Sequence, residues 1–184
     1  MRAALQSGVD VNSKDPDNEM TALMGAVKWN QPAVVSLLLD QEDIDVNSVY
    51  EDGGMGWDNG KTALHFAAGD DRISECLAML LSRPDLATLN QKDKYGRTPL
   101  FVAVSARPRW PKGGSGKGAL RCVQLLLCDK RTDPNIKDLE PDGYESIIWE
   151  GDSPLMFAVK WNLVDCVKLL LADPRVDLSE REER

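Results

Sequence analysis

Apolar and polar residues follow the same order in four segments of the chain, and each segment predicts a pair of helices. The first half of a segment opens with Thr or Ser, followed by Leu and small residues at helical spacing. The second half is an almost continuous apolar run, for example Leu125-Leu126-Leu127. Thr and Ser cap helix N-termini well, and Pro at the first helical position loses no needed donor. The four openings lie at Thr21, Thr62, Thr98 and Ser153.

Self-similarity at a few tens of residues predicts a repeat architecture. A single helix pair cannot bury its own apolar face, whereas stacked neighbours form one continuous core. The sequence therefore predicts an all-α solenoid of stacked helix-turn-helix units. Such an array presents an extended surface and rarely carries catalytic chemistry within its repeats.

One junction identifies the type of repeat. Residues 90–100 place Gly96 in a turn directly before Thr98-Pro99-Leu100, which opens a first helix. This stretch resembles the turn-then-helix junction of the ankyrin repeat family. The resemblance covers nearly the whole chain and implies hairpin-like finger loops between helix pairs. It implies a single domain over 1–184, with a partial repeat at 1–20, repeats at about 21–50, 61–97, 98–138 and 153–178, and insertions at 48–60, 106–118 and 139–152.

The three insertions differ in charge. Residues 41–60 contain six acids and no Lys or Arg, and residues 139–152 contain five acids and no base. By contrast, residues 106–118 contain four bases and no acid. The resemblance implies that the two acidic insertions lie with the fingers and the basic one at the opposite end. Their Trp residues either pack against the repeats or contact a partner; both readings stay open.

The resemblance also implies a binding surface. In ankyrin proteins the two residues after the paired small residues of the first helix commonly face a concave groove. Trp29 and Trp161 occupy such positions, although each could instead pack over the end of its helix. The implied partner-binding residues are Lys28, Trp29, Trp57, Asp58, Asp70, Tyr95, Arg97, Tyr144, Trp149, Lys160 and Trp161.

We therefore expect a non-enzymatic module that binds a protein partner, best one with a basic surface, through this groove and the acidic, aromatic fingers. The alternative is a regulatory or substrate-recruiting ankyrin segment of a larger multidomain enzyme or signalling protein. Self-association, with acidic fingers meeting the basic loop of a neighbour, is a third possibility. Asn12 and Asn47 match positions that are hydroxylated in some ankyrin proteins.

The sequence contains no residue pattern that predicts a catalytic, phosphate-binding or metal site. His65 is the single histidine and has no visible Ser or Cys partner for catalysis. Residues 113–118 depart from the phosphate-binding loop pattern, and the acids of the first insertion are too sparse for a calcium loop. Three of the four cysteines recur at one slot, which Val34 fills in the first repeat, so we expect them to pack in the core. We expect no cofactor and no metal.

Charge and hydropathy restrict the partners and the compartment. The formal net charge is −8, which argues against general affinity for nucleic acid. No apolar stretch is long enough to span a membrane. Free thiols fit an intracellular compartment, cytoplasmic or nuclear. Neither end offers a clear polar cap, so we expect a piece of a longer array; a short protein with divergent caps is the alternative.

Overall fold

The structure is a computed structural model that describes residues 10–51, 58–106, 119–138 and 151–179. These ranges contain eight α-helices in four consecutive pairs, with short 3-10 helices at Asp71–Ile73 and Thr88–Asn90. The predicted all-α solenoid is confirmed. The helices are α1 (Ala22–Lys28), α2 (Pro32–Leu39), α3 (Ala63–Ala68), α4 (Ser74–Leu81), α5 (Pro99–Ser105), α6 (Leu120–Cys128), α7 (Pro154–Lys160) and α8 (Val164–Leu171).

The helices form two layers. The first helices α1, α3, α5 and α7 contact one another in that order, and the second helices α2, α4, α6 and α8 do the same. Leu64 and Leu100 of the first layer are fully buried, as are the small residues Ala67 and Ala103. Small residues let adjacent helices approach closely, so one core runs along the whole stack. Among the described residues, no helix is both long and apolar enough to cross a membrane.

The Thr and Ser residues that open the segments cap the first helices as predicted. The hydroxyl oxygens of Thr21, Thr98 and Ser153 each accept the backbone N–H three residues later, at 3.2–3.3 Å. Pro99 and Pro154 take the first helical position. Each cap contributes about 1 kcal/mol to the stability of its helix.

Three cysteines lie in the core, as the repeated slot predicts. Cys76, Cys122 and Cys166 are fully buried, and Val34 at the same slot of the first repeat is partly buried. Burial raises the pKa of Cys122 to about 12 and that of Cys166 to about 11, so these thiols stay protonated. Cys128 differs, because it is exposed and core packing does not explain it.

An asparagine ladder joins successive repeats. Each of its members donates its side-chain N–H to a backbone carbonyl of the next repeat and accepts a backbone N–H two residues further on. Asn47, for example, donates to Asp85 at 2.9 Å and accepts from Ala87 at 2.7 Å. Both hydrogen-bonding groups of the amide are thereby used across the junction. The ladder consists of Asn12, Asn47, Asn90 and Asn135.

An arginine set reinforces the same junctions from the other direction. After each of the last three second helices, an Arg pairs with an Asp two residues away. Its guanidinium also donates to backbone carbonyls at the end of the preceding second helix. Orphan carbonyls at a helix C-terminus favour a cation. The pairs are Arg83 with Asp85, Arg131 with Asp129, and Arg175 with Asp173.

The backbone pairing within the fingers is limited to single bridges in the described residues. Isolated antiparallel bridges join Lys14 to Thr21 and Val49 to Thr62. At the first insertion, the backbone of Tyr50 bonds to Lys61 at 2.7 Å and to Gly60 at 2.8 Å, which closes the base of the finger. At the insertion before the last repeat, the Asp138 N–H donates to the Asp152 carbonyl at 3.1 Å.

Candidate partner-binding surface

The C-terminal ends of the four first helices line up on one side of the stack, since α1, α3, α5 and α7 are neighbours. We call these ends, together with finger residues 58–61 and 93–97, the groove surface. Two positions, seven and eight residues after each capping Thr or Ser, occur once per repeat. They hold Lys28 and Trp29, Gly69 and Asp70, Ser105 and Ala106, and Lys160 and Trp161.

Trp29 projects into solvent from a fixed backbone. Its N–H is bonded to the Gly25 carbonyl at 3.0 Å, and Asn30 turns the chain with a φ of +51°. The side chain is 73% exposed, so it does not pack over the end of the helix. A large apolar side chain held in water on a rigid element is typical of a binding anchor.

Trp161 occupies the same position in the last repeat but is partly covered. Its ring lies 6.0 Å from the Phe157 ring, centroid to centroid, at an angle of 37°. The side chain is 42% exposed. Of the two readings of these tryptophans, packing therefore applies in part to Trp161, whereas Trp29 is open to solvent.

Lys28 and Asp58 form the centre of an ion network between the first two repeats. Asp58 accepts from Lys28 at 3.0 Å and from Lys61 at 2.7 Å. Both ammonium groups also lie over the Phe66 ring, at 5.1 and 5.6 Å from its centroid. Burial opposes ionisation of Asp58, but the two lysines outweigh it and hold its pKa below the ordinary value. Asp58 thus fastens the finger to α1.

The next finger is held by its own ion pair. Arg97 donates to Asp93 Oδ2 through Nε at 3.0 Å and through Nη2 at 2.7 Å. The Arg97 guanidinium also stacks on the Tyr95 ring, 4.6 Å from its centroid. Gly96 has a φ of +71°, which a glycine adopts without strain. The structure thus brings the predicted binding residues Arg97 and Tyr95 into direct contact.

His65 links two repeats through its ring. The Thr62 N–H donates to Nδ1 at 3.2 Å, so Nε2 carries the proton and donates to the Arg97 carbonyl at 3.0 Å. Burial lowers the pKa of His65 to about 4, against the raising effects of the Arg97 carbonyl and the Asp93 carboxylate. A neutral ring with both nitrogens bonded supports a structural role.

Two buried carboxyl groups lie at the base of the second acidic insertion. Asp152 accepts from Lys160 at 2.7 Å, which places that predicted binding residue in an ion pair. Within the described ranges, Asp138 Oδ1 and Asp152 Oδ2 are buried without a hydrogen-bond partner. Burial, with a further contribution from the Asp152 charge, raises the pKa of Asp138 to about 6. Asp138, at the base of this insertion, therefore takes up a proton in mild acid.

Asp70 lies in the groove surface but serves the local turn. Its carboxylate accepts the Arg72 backbone N–H at 2.9 Å and pairs with the Arg72 guanidinium. The adjacent Asp71 reaches into the next repeat, where its Oδ1 accepts the Cys122 N–H at 3.1 Å. This cap replaces one that α6 lacks, since Ala119 has no side-chain acceptor.

Three of the residues implied by the resemblance, Trp57, Tyr144 and Trp149, lie outside the described residues. The eight described residues all lie on the groove surface, in four ion pairs or networks and at the two tryptophan positions. No group of three or more His, Cys, Asp or Glu side chains in the described ranges is arranged to hold a metal ion.

Family sequence profiles cover most of the chain. A profile described as "Ankyrin repeats (3 copies)" matches residues 48–138, and one described as "Ankyrin repeat" matches residues 18–50 and 150–181. The chain belongs to the ankyrin repeat family. Ankyrin repeats generally serve as protein–protein interaction modules and are typically non-catalytic.

Two curated relatives illustrate the range of proteins with similar repeats. Neurogenic locus notch homolog protein 1 of Xenopus laevis is 27% identical over 170 residues, which are 89% of this chain and 6% of that protein. Transient receptor potential cation channel subfamily A member 1 of Homo sapiens is 34% identical over 114 residues, which are 61% of this chain and 8% of that protein. The ankyrin chain thus spans less than a tenth of the relatives it matches.

Sequence reasoning missed the contacts that hold the ankyrin groove surface in shape. The Lys28–Asp58 and Asp71–Cys122 contacts join residues about one repeat or more apart, and no local pattern reports them. The arginine set left a usable signal, because Arg-Pro-Asp, Asp-Lys-Arg and Asp-Pro-Arg follow three successive second helices. Such a paired motif at a fixed place in a repeat predicts a junction contact.

Proposed function

We propose that this ankyrin array binds a protein partner across the groove surface, with Trp29 as the principal anchor. The observation that carries the proposal is the 73% exposure of Trp29 at the end of a helix whose backbone is fixed. Trp is enriched at positions that dominate binding energies, because it buries much apolar area at low entropic cost. Water is a poor environment for this ring, and a partner would cover it.

The shape of the groove surface supports an extended contact. Trp29 and Trp161 lie at its two ends, whereas Gly69, Ser105 and Ala106 lie between them. Small residues in the middle leave room for a partner backbone to approach closely. The two first helices at the ends are three helix-to-helix steps apart, or about 24–30 Å at 8–10 Å per step. A partner segment would therefore place apolar residues roughly this far apart.

Charge supports a partner with a basic surface. The chain carries a net charge of −8, and its acidic insertions contain no base. The described fingers contribute little to this preference, because Asp58 and Arg97 are already paired within the array. The attraction would come from acids such as Asp52, Glu145 and Glu150. Reversing these three charges should weaken binding most at low salt, since exposed charges are screened as salt increases.

Affinity capture with the immobilised chain, followed by mass spectrometry, tests the proposal. Proteins captured by the wild type and lost with Trp29→Ala are candidate partners, and their dissociation constants are then measured. We expect Trp29→Ala to weaken binding by at least about 30-fold, as for a hot-spot residue. Leu37→Ala is the matched control: Leu37 is also exposed but lies on α2, outside the groove surface. Equal binding of both variants would refute the anchor.

A second candidate function is that of a regulatory or recruiting segment within a larger protein. It is favoured by the relatives, in which the matching segment makes up 6% and 8% of the length. An antibody raised against this chain would then detect an endogenous protein much larger than 184 residues. A band at the mass of the chain alone would contradict this candidate while leaving the groove proposal intact.

A further inference from the structure

The outward face of the last helix pair, formed by α7 and α8, is apolar. Val159 is 60% exposed, whereas the residues at the same position of the three earlier first helices, Val27, Ala68 and Val104, are fully buried. The earlier residues are buried because another helix pair stacks on them. Leu171, the last residue of α8, and Leu178 are also apolar and exposed, at 53% and 67%. The outward face thus has the surface of an interior junction.

Two of the three described junctions contain a second feature, a set of three backbone carbonyls that receives a guanidinium. At the first junction, Arg83 donates to one such carbonyl, that of Leu39. At the junction between the second and third pairs, the guanidinium of Arg131 donates to three carbonyl oxygens of the preceding repeat. These belong to Leu81, Arg83 and Leu86, at 3.1, 3.4 and 3.3 Å. The acceptors follow a fixed spacing at the end of the second helix.

The next junction repeats the arrangement. Arg175 donates to the carbonyl oxygens of Leu127, Asp129 and Thr132, at 2.6, 3.2 and 2.8 Å. The spacing of the three acceptors along the chain is the same as in the preceding set. Three hydrogen bonds from one charged group make this a specific contact, because the planar fork of Arg fixes the direction of each donor.

The last helix pair carries the same acceptors. Leu171, Asp173 and Val176 stand at the identical spacing after α8, next to the exposed face. Within the described ranges, no guanidinium donates to these three carbonyls. The apolar face and the acceptor set are independent observations, and both match what an interior pair presents to its neighbour.

We propose that the outward face of α7 and α8 binds a helix pair whose second helix is followed by an Asp-x-Arg turn. The guanidinium donates to the carbonyl oxygens of Leu171, Asp173 and Val176. The apolar side of the bound pair covers Val159 and Leu171. The chemistry of the occupant is thus that of the pairs at 119–138 and 151–179, which carry this turn at 129–131 and 173–175.

A second copy of this chain, stacked through its first described pair, lacks the required arginine. The first described pair, α1 and α2, is followed by Gln41 and Asp43 at the place of the arginine turn. Gln41 donates instead to the Leu37 carbonyl of its own helix at 2.8 Å. A copy stacked head to tail through this pair would bring no guanidinium to the three acceptors.

An extended chain tests the proposal. Residues 91–97, a finger without insertion, and then residues 153–179 are appended after Ser179 in place of 180–184. The appended copy of Arg175 can then reach the acceptor set. We expect the midpoint of thermal unfolding of the extended chain to be at least about 5 °C above that of the full chain. Replacing the appended copy of Arg175 by Met should remove at least about 2 °C of this rise. An unchanged midpoint, or equal midpoints with Arg and Met, overturns the proposal.

Val159→Asp provides the second test. In the full chain the substitution should leave the midpoint within about 1 °C, because the side chain is largely exposed. In the extended chain it should abolish the rise, since a carboxylate would be buried in the junction. Sedimentation of the full chain should show a monomer. A dimer that Val159→Asp dissociates would make a second copy the occupant and overturn the proposal.

Discussion

The carboxylate of Asp71 caps a helix that belongs to the following repeat: its Oδ1 accepts the backbone N–H of Cys122 at 3.1 Å. The basic insertion at 106–118 separates α6 from α5, and α6 begins at Leu120 without a side-chain cap of its own. Asp71 therefore compensates for the interrupted turn. A helix N-terminus also favours the negative charge of the carboxylate.

Removal of this cap should destabilise the array. We expect Asp71→Ala to lower the free energy of unfolding by about 1 kcal/mol, as for the loss of an N-cap. Chemical denaturation monitored by circular dichroism measures the change. Asp17→Asn is the control, because Asp17 is exposed and lies in a turn outside the helices. Its free energy of unfolding should stay within about 0.5 kcal/mol of the wild type. Equal effects of the two substitutions would show that Asp71 is not a cap.

The pH dependence of stability should reveal two opposing groups. The pKa of buried His65 is lowered to about 4, so the unfolded chain takes up a proton near pH 6.5 and the folded chain does not. Its contribution to stability is present above pH 6.5 and is lost as the pH falls towards 4. The pKa of Asp138 is raised to about 6, so its contribution is present below pH 3.8 and is lost as the pH rises through 6.

These two effects act in opposite directions over the same range of pH, so each partly hides the other in the wild type. We expect Asp138→Asn to give a stability that increases from pH 4 to 6.5, and His65→Met to give one that decreases from pH 4 to 6. Met occupies the His65 position in two other repeats, as Met24 and Met156. The slope of unfolding free energy against pH is the measurement. Parallel slopes in the two variants would contradict the assignment.

Loss of one member of the arginine set should weaken a junction. Arg131→Met removes three hydrogen bonds to carbonyls of the preceding repeat and the ion pair with Asp129. We expect a loss of about 1–2 kcal/mol, at the lower end for charged hydrogen bonds because the side chain is partly exposed. Lys130→Met, one residue away and exposed, is the control. Urea titrations measure both variants. Equal unfolding midpoints for Arg131→Met and Lys130→Met would show that Arg131 does not stabilise the junction.

Two glycines should respond to alanine in opposite directions. Gly60 has a φ of +80°, and a Cβ there would lie 2.8 Å from the backbone nitrogen of Lys94 in the next finger. Gly60→Ala should therefore cost about 1–3 kcal/mol. Gly25 lies inside α1 with no atom near the added Cβ, so Gly25→Ala should stabilise by about 0.5–1 kcal/mol. Thermal melts that shift in the same direction for both would refute the comparison.

The two tryptophans at equivalent positions should differ in their effect on folding. Trp161→Ala removes a ring that packs on Phe157, and we expect a loss of about 1 kcal/mol. Trp29→Ala should change the free energy of unfolding by less than about 0.5 kcal/mol, since the ring is mostly in water. Denaturation of both variants separates the roles. A large loss of stability with Trp29→Ala would mean that the side chain supports the fold.

The fold followed from the sequence because its determinants are local and recur. Thr21, Thr98 and Ser153 cap helices through residues three positions away, and the Cys76 slot returns in each later pair. A pattern that repeats four times outweighs the ambiguity of any single copy.

The positions of the groove residues were predictable from the sequence, but their exposure and their pairing were not. The position of Trp29 follows from the repeat, whereas its exposure depends on what lies beside it after stacking. The same holds for Asp58, which the sequence suggests as a contact for partners and which instead binds Lys28 and Lys61. Pairing across a junction depends on which side chains the stack brings together, and no local pattern encodes it.

The asparagine ladder has a consequence for how such an array can change over evolutionary time. Each ladder residue recognises the backbone of its neighbour, for example the Arg175 carbonyl and the Asp177 N–H for Asn135, and not a particular side chain. Any unit that folds its turn in the same way is acceptable as the next neighbour. Duplication, deletion or exchange of a unit would therefore leave this connection intact, while the residues that meet a partner are free to diverge.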